Sequence, residues 1–99
     1  MPLSVSQKKH LRGLGHSLDP VVLIGQQGLT DAVVAEARAA LHAHELIKVR
    51  ARVGDRKLRE EIFAGLAART GAELVQEIGN VGLFYKKNNE IQKILLPDS

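Results

Sequence analysis

From Leu46 to Val53 the chain alternates in a period of two. Ile47, Val49, Ala51 and Val53 fall on one side, and Lys48, Arg50 and Arg52 on the other. A two-residue period is a strand signature that a helix cannot reproduce. Its apolar side must be covered by another layer, so this segment demands a sheet with something packed on it. The flanking segments supply that cover. Thr30 is an N-cap for a helix whose apolar stripe is Val33, Val34, Ala37 and Leu41. After the strand, Gly54 and Asp55 make a turn, with Asp55 as the next N-cap. A further helix runs through Leu58, Ile62 and Leu66, and Gly71 stands at its C-terminal end.

The other elements follow from local signals. Ser4 and Ser6 are both candidate N-caps for a first helix, and Ser4 with Gln7 has capping-box spacing. Leu11, Leu14 and Leu18 form its apolar stripe, with Lys8, Lys9, Arg12 and His16 between them, and Asp19-Pro20 ends it. Val21-Val22-Leu23-Ile24 reads as a buried strand. Ala72 to Ile78 and Leu83 to Lys87 read as two more, joined through Gly79-Asn80-Val81-Gly82 as a hairpin connection. The order is α-β-α-β-α-β-β. Parallel pairing is expected in the βαβ part and antiparallel pairing in the final hairpin, which gives a four-stranded mixed sheet with three helices. The 99 residues fit a single domain, with a core at about residues 3–87 and a tail at 88–99 whose Ile91, Ile94, Leu95 and Leu96 can pack back onto the domain.

Composition removes several function classes. There is no cysteine, which excludes a disulfide framework and a thiolate metal site. His42 and His44 lie about 200° apart on a helix, and His10 and His16, six positions apart, lie on different sides and about 9 Å apart along the axis, so neither pair has usable metal spacing. No triad or carboxylate pair stands out, and no enzyme activity is expected. No stretch approaches a membrane span, and Met1–His10 lacks the apolar run of a signal peptide. The expectation is a soluble, cytoplasmic protein that needs no cofactor, metal or small-molecule substrate.

The net charge of +3 is modest, but its distribution is uneven. Lys8, Lys9 and Arg12 stand in an acid-free first segment. Lys48, Arg50, Arg52, Arg56, Lys57 and Arg59 face only Asp55, and acids gather at Glu60, Glu61, Glu73 and Glu77. Clustered bases suit a phosphate backbone. Alternate bases on a strand project roughly 6.5 Å apart, near the spacing of backbone phosphates. The sharpest local motif is Gly25-Gln26-Gln27-Gly28, between a strand and a helix. Glycines there allow close approach of a ligand, and the following helix N-terminus favours an anion. KH domains clamp single-stranded RNA with such a GxxG loop, and for the motif alone an ordinary structural turn is the commoner reading. It is neither a dinucleotide fingerprint nor a P-loop. Phe84 and Tyr85 read as core residues rather than stacking platforms.

Three ordered blocks then identify a family resemblance. Residues 14–30 read Leu14-Gly15-His16-Ser17-Leu18-Asp19-Pro20-Val21-Val22-Leu23-Ile24-Gly25-Gln26-Gln27-Gly28-Leu29-Thr30. His44-Glu45-Leu46-Ile47-Lys48-Val49 and Thr70-Gly71-Ala72-Glu73-Leu74-Val75-Gln76 follow in order. The chain resembles the CRM domain family over roughly residues 3–87, at the size of its bacterial YhbY-type single-domain members. The resemblance implies a fold similar to the C-terminal domain of bacterial initiation factor three. It also implies RNA binding, association with rRNA in large-subunit precursors, and a role in ribosome maturation. Carried onto this chain, the RNA contacts are Gly25, Gln26, Gln27 and Gly28, with Lys8, Lys9, Arg12, Lys48, Arg50, Arg52 and Lys86 as basic candidates. The final hairpin departs from the family pattern. Asn80 is neutral where a basic residue is common, and Lys86 stands where arginine is common. The rival reading is a non-enzymatic adaptor that binds proteins on ribosomes or assembly factors.

Overall fold

The computed structural model describes residues 2–98. Its elements are α1 (Val5–Gly15), β1 (Pro20–Ile24), α2 (Asp31–His44), β2 (Leu46–Ala51), α3 (Arg56–Thr70), β3 (Glu73–Ile78) and β4 (Val81–Tyr85). The expected α-β-α-β-α-β-β order and four-stranded mixed sheet are present. The strand order is β1-β2-β4-β3, with β1 parallel to β2 and the other pairs antiparallel.

Each helix start has the cap its sequence suggests. The Ser4 hydroxyl accepts from the Gln7 N–H while the Gln7 side chain accepts from the Ser4 N–H, which is the full capping box. Thr30 Oγ1 accepts from the Val33 N–H. Asp55 Oδ1 accepts from the N–H groups of Lys57 and Leu58. Gly71 closes α3 at φ +78°, a left-handed geometry that glycine adopts without a Cβ penalty.

The two faces of the sheet are covered unequally. On one face Val22, Ile24, Ile47, Val49, Ala51 and Phe84 pack against Val34, Ala37 and Leu41 of α2 and Ile62, Phe63 and Leu66 of α3. Phe63 and Phe84 meet edge to face at 5.8 Å. On the other face α1 is the only helix, and Leu3, Ile94 and Leu96 add to its cover. Leu11 buries there with Leu46, Val75, Leu83 and Tyr85. Full burial of such a leucine is worth about 1.5–3 kcal/mol.

Four expectations are corrected by this arrangement. First, α1 stops at Gly15, well before Pro20, because two glycines in its last turn are poor helix formers. Of its expected stripe only Leu11 is buried, and Leu14 and Leu18 are exposed. Second, β1 is an edge strand. Val22 and Ile24 are buried, but Val21 and Leu23 are about half exposed on the side that α1 does not reach. Third, β2 ends at Ala51, so Arg52 and Val53 lie beyond it. Fourth, the hairpin loop is only Gly79-Asn80, and Val81 and Gly82 belong to β4. Gly82 is required there by packing: an added Cβ would lie 2.8 Å from Phe84 Cε1 and 3.3 Å from Phe63.

The tail is held in place by a residue the sequence reading passed over as a contact. Glu45 is fully buried and sits at φ +62° at the end of α2. Its carboxylate accepts from the N–H groups of Asn88 at 2.6 Å, Lys93 at 2.6 Å and Ile94 at 2.7 Å. Ile94 and Leu96 then pack on the α1 cluster, whereas Ile91 and Leu95 remain exposed.

Candidate functional site

The loop that follows β1 is a tight turn. Gly28 N–H donates to the Gly25 carbonyl at 3.1 Å, and Thr30 N–H to the Gly28 carbonyl at 3.1 Å. Gly28 has φ +72°, which accounts for glycine at that position. Gly25 is different. Its φ is not left-handed, and a Cβ added to it would meet no atom within 4 Å. Neither backbone strain nor internal packing requires glycine there. Gln26 and Gln27 are exposed.

Topology brings further residues to this end of the sheet. Arg52 N–H donates to the Ile24 carbonyl at 2.8 Å, which sets Arg52 beside Gly25. Ala51 N–H donates to the Asn80 carbonyl at 2.8 Å, which brings the hairpin alongside. Behind them lies the half of the sheet that α1 leaves open. Cross-strand register puts Leu23, Arg50, Val81 and Ile78 in one row and Lys48, Leu83 and Gln76 in the next. Lys48 and Arg50 are half-buried, and Arg50 Nε is buried with no hydrogen-bond partner. Arg12, on α1, reaches the same region beside Lys48.

The structure therefore divides the sequence-derived candidates. Gly25, Gln26, Gln27, Gly28, Arg52, Arg50, Lys48 and Arg12 lie at or near the loop end of the open face. Lys8 lies further back, about 10 Å along α1 from Gly15 at the usual helical rise, and its ammonium is 3.7 Å from Glu73. Lys9 is exposed on the same distant part of α1. Lys86 follows β4 at the opposite end of the sheet, and its Nζ donates to the Thr70 carbonyl at 2.8 Å, closing the C-terminus of α3. In the basic run after β2, Arg59 donates to the carbonyls of Val53 and Gly54, and Arg56 pairs with Glu60. Arg59 thereby supports the fold around the loop end, whereas Arg56 stays exposed and its surface pair contributes little.

The N-terminus of α2 is less open than its sequence suggests. Asp31 stands in the first turn and pairs with Arg69 at 2.8 Å. Such an exposed pair contributes little to stability, but its carboxylate offsets part of the helix's positive end. Phe84 and Tyr85 are buried, as expected of core residues. Among the described residues no cluster of three or more His, Cys, Asp or Glu is placed to hold a metal ion, and no helix is long and apolar enough to cross a membrane.

These features define a small α/β domain with a glycine-bracketed loop at the mouth of a half-covered mixed sheet. The chain belongs to the CRS1/YhbY (CRM) domain family, whose model matches residues 3–86. It is 44% identical over 95 residues to an RNA-binding protein of Haemophilus influenzae, covering 96% of this chain and 95% of that one. It is 41% identical to a probable RNA-binding protein of Pseudomonas aeruginosa, covering 96% of this chain and 91% of the relative. Its fold is similar to the solution structure of a Staphylococcus aureus protein proposed to bind RNA, with a TM-score of 0.84 and 33% identity. That match covers 97% of this chain and all of the other.

Proposed function

We propose that this protein binds RNA through the Gly25–Gly28 loop and the open half of the sheet beside it, without catalysing a reaction. The observation that carries the reading is Gly25. Its missing Cβ faces open space, beside Arg52, where nothing inside the protein needs a glycine. A sugar-phosphate backbone lying against the loop does need one, because a Cβ would intrude. The names of the relatives support the same class of ligand. The family resemblance extends the proposal to rRNA in precursors of the large ribosomal subunit and to a cytoplasmic role in ribosome assembly.

The test is a double substitution, Gln26→Asp with Gln27→Asp. Both side chains are exposed and the glycines remain, so the melting temperature should stay near that of the parent. Affinity for an rRNA fragment should fall at least about tenfold, roughly 1.4 kcal/mol. Equal affinity across a salt series would make the loop structural only.

The adaptor reading also has an observation in its favour. Exposed Leu14, Leu18 and Val21 line a mainly apolar groove of about 460 Å³ that also involves His44 and Ile94. An adaptor would show little RNA affinity at any salt, whereas phosphate contact makes affinity fall steeply as salt rises.

A further inference from the structure

A second groove lies between the end of α1 and the open half of the sheet. Its volume is about 300 Å³, at the lower end of the range for small-molecule pockets. Its floor is apolar, formed by Val81 and Leu83 of β4 with Ile78 of β3. Arg12 and His16 line it from the α1 side, and Lys48 from β2. Gln76 adds a side-chain amide, which can both donate and accept.

Three features give this groove a chemical preference. No carboxylate lines it, although the chain carries 11 acids. The only ion pair made by α1 among the described residues is that of Lys8, so Arg12 is left free to meet an external anion. Gly15 lets the helix end press onto the floor, since a Cβ there would sit 2.8 Å from both Leu83 methyl carbons. That contact closes the back of the groove, while the row of Leu23, Arg50, Val81 and Ile78 continues it toward the glycine loop. A ligand matching this site has a flat apolar body, hydrogen-bonding edges and a negative charge.

We propose that the groove between α1 and the sheet is a subsite for one unpaired nucleotide, with its base on Ile78, Val81 and Leu83, its edge toward Gln76, and its phosphate on Arg12, His16 and Lys48. This deepens the RNA reading and rests on it: the nucleotide belongs to the strand whose backbone crosses the Gly25–Gly28 loop. The chain has only 3% aromatic residues, and Phe84 and Tyr85 are buried in the core. Aliphatic side chains therefore take the place that aromatic platforms hold in many single-strand binders.

The experiment is an amide NMR titration of the full chain with adenosine, guanosine, cytidine and uridine 5′-monophosphates, and separately with inorganic phosphate. At least one nucleotide should produce saturable shifts at Gly15, His16, Lys48, Gln76 and Ile78, with a millimolar or tighter dissociation constant. Ile78 is 66% exposed, so Ile78→Asp should leave the fold intact. It should weaken that binding at least about tenfold. Equal shifts with phosphate alone would make the groove a plain anion site and overturn the proposal. So would the absence of saturable shifts there with all four nucleotides. A parallel titration with a single-stranded rRNA fragment separates the two readings. If the fragment shifts the loop amides and leaves those of the groove unmoved, the subsite is wrong and the RNA reading stands. If the fragment binds nowhere, both fail.

Discussion

Arg52 donates its backbone N–H to the carbonyl of Ile24 at 2.8 Å, one residue before the glycine loop begins. The bond extends the parallel β1–β2 ladder past the last residue of β2 and fixes a guanidinium-bearing residue next to Gly25. Lys48 and Arg50 precede it on the same strand, at the positions that face the open half of the sheet. The basic residues of this chain are therefore not equivalent, although they look alike in the sequence.

Replacing Lys48, Arg50 and Arg52 together by alanine should lower the slope of log affinity against log salt by up to about three. The paired substitution of Lys8 and Lys86 should leave that slope unchanged. Lys86 holds the Thr70 carbonyl and Lys8 pairs with Glu73, so their loss should appear as a lower melting temperature. Filter binding across a salt series, with melts of each variant, checks both halves.

Gly25→Ala should separate folding from binding. An added Cβ meets nothing within 4 Å and the backbone is not left-handed. Stability should hold or rise by about 0.4–1 kcal/mol, as expected where glycine is not conformationally required. RNA affinity should nonetheless fall about tenfold. Gly28→Ala is the contrast: at φ +72° it should cost about 1–2 kcal/mol in stability. Thermal melts and RNA titrations of the two variants distinguish the roles.

What was legible in the sequence was mostly local. The alternation at Ile47, Val49 and Ala51, the capping pair Ser4 and Gln7, and the terminating Gly71 each act within a few residues. Non-local features were hidden. A run such as Val21 to Ile24 reads the same in a central strand as at an edge, and strand order alone decides that Val21 and Leu23 are exposed. The roles of Arg59 and Lys86 depend on which carbonyls the fold brings near them. The groove is equally non-local, since Arg12, Lys48 and Gln76 come from three separate elements. Glu45 could have been noticed as an acid between a helical and a strand pattern, but its donors lie 43 to 49 residues further along the chain.

Glu45→Gln should be strongly destabilising despite its near-identical shape. One carboxylate oxygen accepts from Lys93 and Ile94 and the other from Asn88. An amide can serve one of these sites, but its NH₂ group then faces an N–H donor at the other. The cost should be about 2 kcal/mol, in the range for buried bonds to a charged group. In a domain of this size that lowers the melting temperature by roughly 8–16 °C. Amide exchange of Asn88, Lys93 and Ile94 should accelerate before that of the sheet. Retained protection at all three would show that the carboxylate is not what holds the tail.

Tyr85 presents the opposite case, a buried hydroxyl with no hydrogen-bond partner. Tyr85→Phe removes that unsatisfied atom and leaves the ring packing, so stability at neutral pH should stay level or rise by up to about 1 kcal/mol. Burial first, and the nearby Glu45 charge second, push the phenol above its ordinary value of 10.0. The folded state therefore keeps the proton more tightly than the unfolded state. The associated stability is fully present below pH 10 and is lost as pH rises from there through the folded-state value. Denaturant melts at successive pH values above 10 should show the parent losing stability faster than Tyr85→Phe. If the two decline in parallel over that alkaline range, Tyr85 is not the group responsible.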